Sequence, residues 1–183
     1  MKIIIFGASG SGTTTLASEL APIIGYRHLD SDEYYWLKTA HPFTEKQHPD
    51  RRNSAFLEDL GKQDNVLVSG PVFGWDDRFM KIFDLAVFLW IPSEIRLNRL
   101  RTREQERYGD LLITDQHYKT KCEEFLNWAA GYDDPNFKSR SLALHNRWIN
   151  QLQIPVLRIE GDTSVALRIE LLMDKIRETE QLG

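Results

Sequence analysis

A single cysteine, Cys122, stands among 183 residues. No internal disulfide can form, and no Cys/His cluster has the spacing of zinc ligands, so a reducing compartment without structural zinc is expected, the cytoplasm being the simplest. A basic excess is also missing. The 27 acidic side chains against 23 basic ones give a formal charge of −4, which excludes a footprint built on neutralising nucleic-acid phosphates. Any cationic cluster must be local. No apolar run approaches the roughly 20 residues of a membrane helix. The amino-terminal run Ile3-Ile4-Ile5-Phe6 stops at Gly7, too short for the apolar core of a secretory signal. A soluble protein with no membrane partner is expected. Repeats, low-complexity stretches and Gly/Ser linkers are absent as well. A hydrophobic content of 42% over residues 1–183 suits one domain that removes roughly two-thirds of its unfolded surface from water.

What is present is an alternation of two periodicities. Residues 2–6, 65–69, 84–91 and 154–159 are short runs apolar on both faces, as in strands of a parallel sheet covered by helices on each side; Tyr26-Arg27-His28-Leu29 is a weaker fifth. Between them, residues 13–21, 50–61, 93–103, 116–130, 139–152 and 163–180 have helical spacing. The pattern predicts an α/β fold: a five-stranded parallel sheet with helices on both faces. Pro22 removes an amide and clashes one turn back, so the first helix is expected to kink or end near Ala21, with Gly25 offering a stop. Residues 104–138 are more polar and carry Gly109, Gly131 and Asp133-Asp134-Pro135. They are the candidate for a small mobile lid.

The turn Gly7-Ala8-Ser9-Gly10-Ser11-Gly12-Thr13-Thr14-Thr15 follows the first strand and opens a helix, the context a phosphate-binding loop requires. Glycines let successive N–H groups turn inward, and the helix adds its exposed amides and positive dipole end. A side chain at Gly12 is expected to fill this cradle. Thr14 stands where a hydroxyl of the motif holds Mg²⁺ against the terminal phosphates. The alternative is a Gly/Ser turn that only joins strand to helix.

In these residues and in element order the chain resembles the P-loop kinases of the adenylate kinase and shikimate kinase group. The resemblance implies a P-loop NTPase fold, ATP and Mg²⁺ as cofactors, and phosphorylation of a nucleoside monophosphate or a small hydroxylated metabolite. One position departs from the motif: its lysine, expected after Gly12, is Thr13. A charge-assisted hydrogen bond to the transferring phosphates contributes about 1.5–3 kcal/mol, and its loss from the transition state slows transfer about 10- to 150-fold. Another cation is needed. Lys2 lies at the far end of the first strand, about 17 Å away at roughly 3.3 Å per residue, and the arginines of the carboxyl-terminal half are better placed.

In an open parallel sheet, ligands gather beyond the carboxyl ends of the strands. Asp30 and Asp32 follow the second strand and are favoured on that ground, whereas Asp84 begins its strand and points to the wrong end. The third strand ends in Ser69-Gly70 without an acid. By the resemblance, Asp30 takes part in the Mg²⁺ water shell and Asp32 faces the acceptor hydroxyl as its base. Helix capping by either Asp is the alternative.

Arg96, Arg99, Arg103 and Arg107 fall on one helical face by three- and four-residue steps and suit a polyphosphate; a solvated face is the alternative. The resemblance places Arg99 and Arg103 at the lid entrance on ATP phosphates, with Lys138 and Arg140 at its exit. It also implies that Arg51 or Arg52 grips an anionic group of the acceptor, and that Gly70 belongs to the acceptor loop running to Trp75. Phe73 and Trp75 are expected to pack. Asp162 or Thr163 caps the last helix or borders adenine, and neither His41 nor His48 has a partner pattern that demands a role. Two functions remain open: an ATP-dependent phosphotransferase acting on a small acceptor, or a nucleotide-binding regulator with little or no catalysis.

Overall fold

The structure, a computed structural model of the chain, describes residues 1–39 and 42–181; His41 lies outside them. Five strands, β1 (Lys2–Gly7), β2 (Arg27–Asp30), β3 (Val66–Ser69), β4 (Leu85–Trp90) and β5 (Val156–Glu160), form one sheet in the order β2-β3-β1-β4-β5. Every neighbouring pair is parallel. The central place of β1 follows from its residues, which are apolar on both sides of the pleat. Ile3 and Ile5 enter one core with Leu67 and Val87, while Ile4 and Phe6 enter the other with Val68 and Phe88. Full burial of each such side chain contributes about 1.5–3 kcal/mol, so a strand apolar on both faces is favoured inside the sheet, with a neighbour on each side.

The helices are α1 (Thr13–Ile24), α2 (Ser31–Tyr35), α3 (Pro49–Gly61), α4 (Ser93–Tyr108), α5 (Leu111–Thr114), α6 (Gln116–Ala130), α7 (Leu142–Gln151) and α8 (Val165–Glu180). Leu16 and Leu20 of α1 close the first core with Leu172 and Ile176 of α8; Phe56 and Leu60 of α3 close the second with Trp148 of α7. The segment expected as a lid is helical: α4 continues past residue 103 to Tyr108, and α5 and α6 complete an arm that returns through a 3-10 turn at Gly131–Asp133. No helix among the described residues is long and apolar enough to cross a membrane.

Pro22 does not end α1, which runs to Ile24. Proline removes only its own amide from the ladder, and the last turn is closed from beyond it. The amides of Gly25 and Tyr26 both donate to the Ala21 carbonyl, the latter at 3.0 Å.

Parallel pairing brings the carboxyl ends of the strands to one edge. The glycine turn after β1, Asp30-Ser31-Asp32 after β2, Gly70 after β3 and Gly161-Asp162 after β5 meet there. Asp84 lies at the opposite edge, as expected, where its carboxylate accepts from the Lys2 amide at 2.7 Å.

Candidate functional site

Gly10 and Gly12 adopt φ of 80° and 88°, a left-handed backbone that costs other residues about 1–3 kcal/mol. The turn is tied by Ser11 N–H to the Ala8 carbonyl at 3.1 Å, and the first helical bond runs from Leu16 N–H to the Gly12 carbonyl at 3.0 Å. The amides of Thr13, Thr14 and Thr15 precede that bond and have no carbonyl one turn back; no side chain caps α1 either. Donors without acceptors, at the positive end of a dipole, fit the charged tail of a nucleotide. Thr14 and Thr15 are exposed, and the Ser11 hydroxyl is buried without a partner among the described residues.

An arginine that the sequence reading missed closes the turn from behind. Arg168 of α8 is buried; its Nη1 donates to the Ser11 carbonyl at 2.9 Å and its Nε to the Thr163 hydroxyl at 2.9 Å. A Cβ on Gly12 would lie 3.1 Å from that Nη1. A side chain there would press on Arg168, a contact beyond the expected filling of the cradle. Four-residue steps place Arg168 in the buried stripe of Leu172 and Ile176, which marks it as buried but not as a partner of the turn. Asp162 and Thr163 are not the cap of α8. Ser164 is, accepting from Leu167 N–H at 3.2 Å.

The arginines of α4 divide. Arg96 is fully buried, donates to the Ile91 carbonyl at 2.9 Å and pairs with Asp133 at 2.5 Å, so it ties the base of the arm to β4 and is not available to a phosphate. Arg99 reaches the turn: Nη1 lies 3.5 Å from the Gly10 carbonyl and Nη2 pairs with Asp162 at 2.5 Å. Buried Glu104 holds Arg103 at 3.1 Å and Arg107 at 3.2 Å. Arg103 also acts electrostatically on Asp32.

Asp30 caps α2, its carboxylate accepting from the Asp32 amide at 3.0 Å. The capping expected as an alternative is therefore real for Asp30, and one carboxylate oxygen is committed to it. Asp32 is exposed in the first turn of α2. Desolvation of its carboxyl by the surrounding protein, followed by the neighbouring Asp30 charge, raises its pKa above the ordinary value, while Arg140, Arg103 and a hydrogen bond from Trp36 oppose the shift. Arg140 donates to the Ser9 hydroxyl at 3.0 Å, so it links the glycine turn to the surroundings of Asp32. No group of three or more His, Cys, Asp or Glu among the described residues is placed to share a metal.

At the start of α3, Arg51 is exposed and Arg52 is buried. The Arg52 guanidinium lies 4.2 Å from the Trp75 ring centre and 5.4 Å from that of Tyr35, with Nε donating to Asn53 at 3.0 Å. Phe73 packs in the core as expected; Trp75 does more, forming one wall of this guanidinium seat. Both arginines line a cavity of about 230 Å³ with Glu33, Trp36 and Gln47. Gly70 lets β3 approach α2, since a Cβ there would lie 2.0 Å from the Ser31 hydroxyl. His48 caps α3.

A parallel sheet of this order, with a glycine turn between its central strand and first helix, is the P-loop NTPase fold, and solved kinases share it. Shikimate kinase from Aquifex aeolicus superposes with a TM-score of 0.58 at 21% identity over 100% of both chains. Deoxyadenosine kinase from M. mycoides with bound dATP superposes at 0.59 and 18% identity, over 97% of this chain and 100% of that one. Residues 3–125 match the family described as an AAA domain, and the chain belongs to that family of P-loop kinase domains. Among relatives, the uncharacterized protein YqaC of Bacillus subtilis is 43% identical over 173 residues, 94% of this chain and 96% of its own. The cytidylate kinase of Archaeoglobus fulgidus is 31% identical over 136 residues, 68% of this chain and 72% of its own.

Proposed function

We propose that the chain is an ATP-dependent phosphotransferase acting on a small acceptor, a nucleoside monophosphate or a hydroxylated metabolite. The observation that carries this reading is the place of Asp32 directly after β2, with Arg140, which is bonded to Ser9 of the glycine turn, first among the cations that oppose its raised pKa. Gly7, Ala8, Ser9, Gly10, Ser11, Gly12, Thr13, Thr14 and Thr15 hold the triphosphate. Arg99 and Arg103 neutralise charge at the turn, and Arg52, with Arg51 at the rim and Gly70 shaping the loop, receives an anionic group of the acceptor. The acceptor oxygen bonds to the γ-phosphorus, the bond from that phosphorus to the bridging oxygen breaks, ADP leaves, and the hydroxyl proton passes to Asp32.

Thr14 and the free side of Asp30 are the residues suited to Mg²⁺, which in such sites keeps waters and phosphate oxygens as most of its ligands. Bound there, it would neutralise charge on the β- and γ-phosphates. The lone Cys122 fits a reducing compartment such as the cytoplasm. The relatives named cytidylate kinase make CMP the first acceptor to test, followed by shikimate and deoxynucleosides. ADP release that depends on one member of this panel supports the proposal. Nucleotide affinity with no turnover on any member favours instead a nucleotide-binding regulator, the reading that Thr13 suggests.

A further inference from the structure

Reading Gly7–Thr15 as a nucleotide site leaves the turn without the lysine of its motif, and we infer that Arg140 supplies that cation, binding the terminal phosphate from the Asp32 side of the turn. The inference rests on that reading and adds a residue to it.

Four neighbouring arginines each share their charge with a carboxylate of the protein, so those that face the turn neutralise charge there only in part. Arg96 is paired with Asp133, Arg99 with Asp162, and Arg103 and Arg107 with Glu104. Among the described residues Arg140 has instead a hydroxyl and a ring, donating to Ser9 at 3.0 Å with its guanidinium 4.9 Å from the centre of Trp128. Half-buried, and pulled down in pKa by desolvation with Asp32 as the strongest opposing charge, it is a cation whose carboxylate partner is distant. Such a group is stabilised when a bound anion completes its shell.

Arg99 and Arg168 also meet the turn; Arg99 is paired with Asp162, and Arg168, whose Nη2 has no partner among the described residues, serves a different face. The carbonyl and amide of one peptide group point in opposite directions, so a side chain on the Ser11 carbonyl lies away from the Gly12 amide. Arg140 meets the turn through the Ser9 side chain and is sensed by Asp32. It is also fixed in place. The next residue, Ser141, is buried and caps α7, and His145 in the second turn of that helix is bonded to Tyr132 at 2.7 Å. A cation on such an anchored segment is preorganised, as a lysine in the turn would be.

The test is calorimetric affinity for ATP and ADP, with thermal melts, in the wild type, Arg140→Met, Thr13→Lys and the double variant. Arg140→Met should lose about 10- to 150-fold in ATP affinity with much less change for ADP, and Thr13→Lys should restore the loss in that background. In the otherwise wild-type chain, Thr13→Lys should gain less than about tenfold, because the seat is already filled and like charges repel. An unchanged ATP-to-ADP ratio in a folded Arg140→Met, or failure of the lysine to restore it, overturns the inference. Should Arg140→Met not fold, the single Thr13→Lys decides: a gain of about 100-fold or more means the seat was vacant. A wild type that binds neither nucleotide removes the underlying reading as well, whereas ATP binding with an unaltered ratio removes only the role of Arg140.

Discussion

The two faces of the glycine turn are each met by an arginine, and the pair differ in the part of the turn they meet. On the outer face Arg168 finds the Ser11 carbonyl and the Thr163 hydroxyl, two protein oxygens at 2.9 Å, and is buried around them. Hydrogen bonds to a charged group contribute about 1.5–3 kcal/mol each, so this arginine belongs to the architecture of the turn. On the inner face Arg140 has one hydroxyl and a ring, beside a carboxylate whose pKa is raised. Arg168 keeps one buried nitrogen, Nη2, without a partner among the described residues, so what separates the two is the part of the turn each meets and the carboxylate beside Arg140, not the completeness of their shells.

Variants on the two faces should therefore move different observables. The largest effect is expected from Asp32→Asn, which should lower turnover about 10²- to 10⁴-fold without lowering the melting temperature at neutral pH. Because the folded-state pKa of Asp32 lies above its unfolded value, its contribution to stability is complete only below that unfolded value and is lost as pH rises through the folded one. At neutral pH an uncharged amide thus costs nothing there, and in the wild type turnover should fall as pH drops through the raised pKa; a melting temperature that collapses along with activity would erase the distinction.

Gly12→Val comes next and should act on both faces, abolishing ATP binding and destabilising the fold by about 1–3 kcal/mol through its φ of 88° and its contact with Arg168; undiminished binding by calorimetry would contradict the site. For Arg103→Ala a loss of about 10- to 150-fold in turnover with little change in melting is expected, and the reverse pattern would return this arginine to a solvated face. The smallest effect concerns the support of Arg140. Burial holds the His145 imidazole down to about 3. Its contribution to stability is present above the unfolded pKa near 6.5 and is lost as pH falls toward 3, with a slope approaching about 1.4 kcal/mol per pH unit. His145→Gln should flatten that part of the stability profile, and an equally steep variant would show that another group titrates.

The strands and the glycine turn were legible because each depends on local signals: apolar runs bounded by Gly and Asp, and a turn whose glycines occupy left-handed backbone. Asp32 was legible from its place after a strand. The fate of the arginines was not, since spacing puts Arg96 and Arg99 on one face while only the tertiary contacts send Arg96 to Asp133 and Arg99 to the turn. Arg168 is distant from the turn in sequence and meets it through the packing of α8 on α1. The walls of the Arg52 seat come from Tyr35 and Trp75, on two separate segments, and periodicity contains no such pairing.

The central claim, that the backbone amides of the turn receive the phosphates of a nucleotide, is tested most directly by following the amide resonances of Gly10 to Thr15 during titration with Mg²⁺ and ATP. The account predicts saturable shifts largest at those residues, weaker ones with ADP, and none of that pattern with adenosine. Saturable ATP binding that leaves those amides unmoved, or adenosine moving them as far as ATP does, would contradict it.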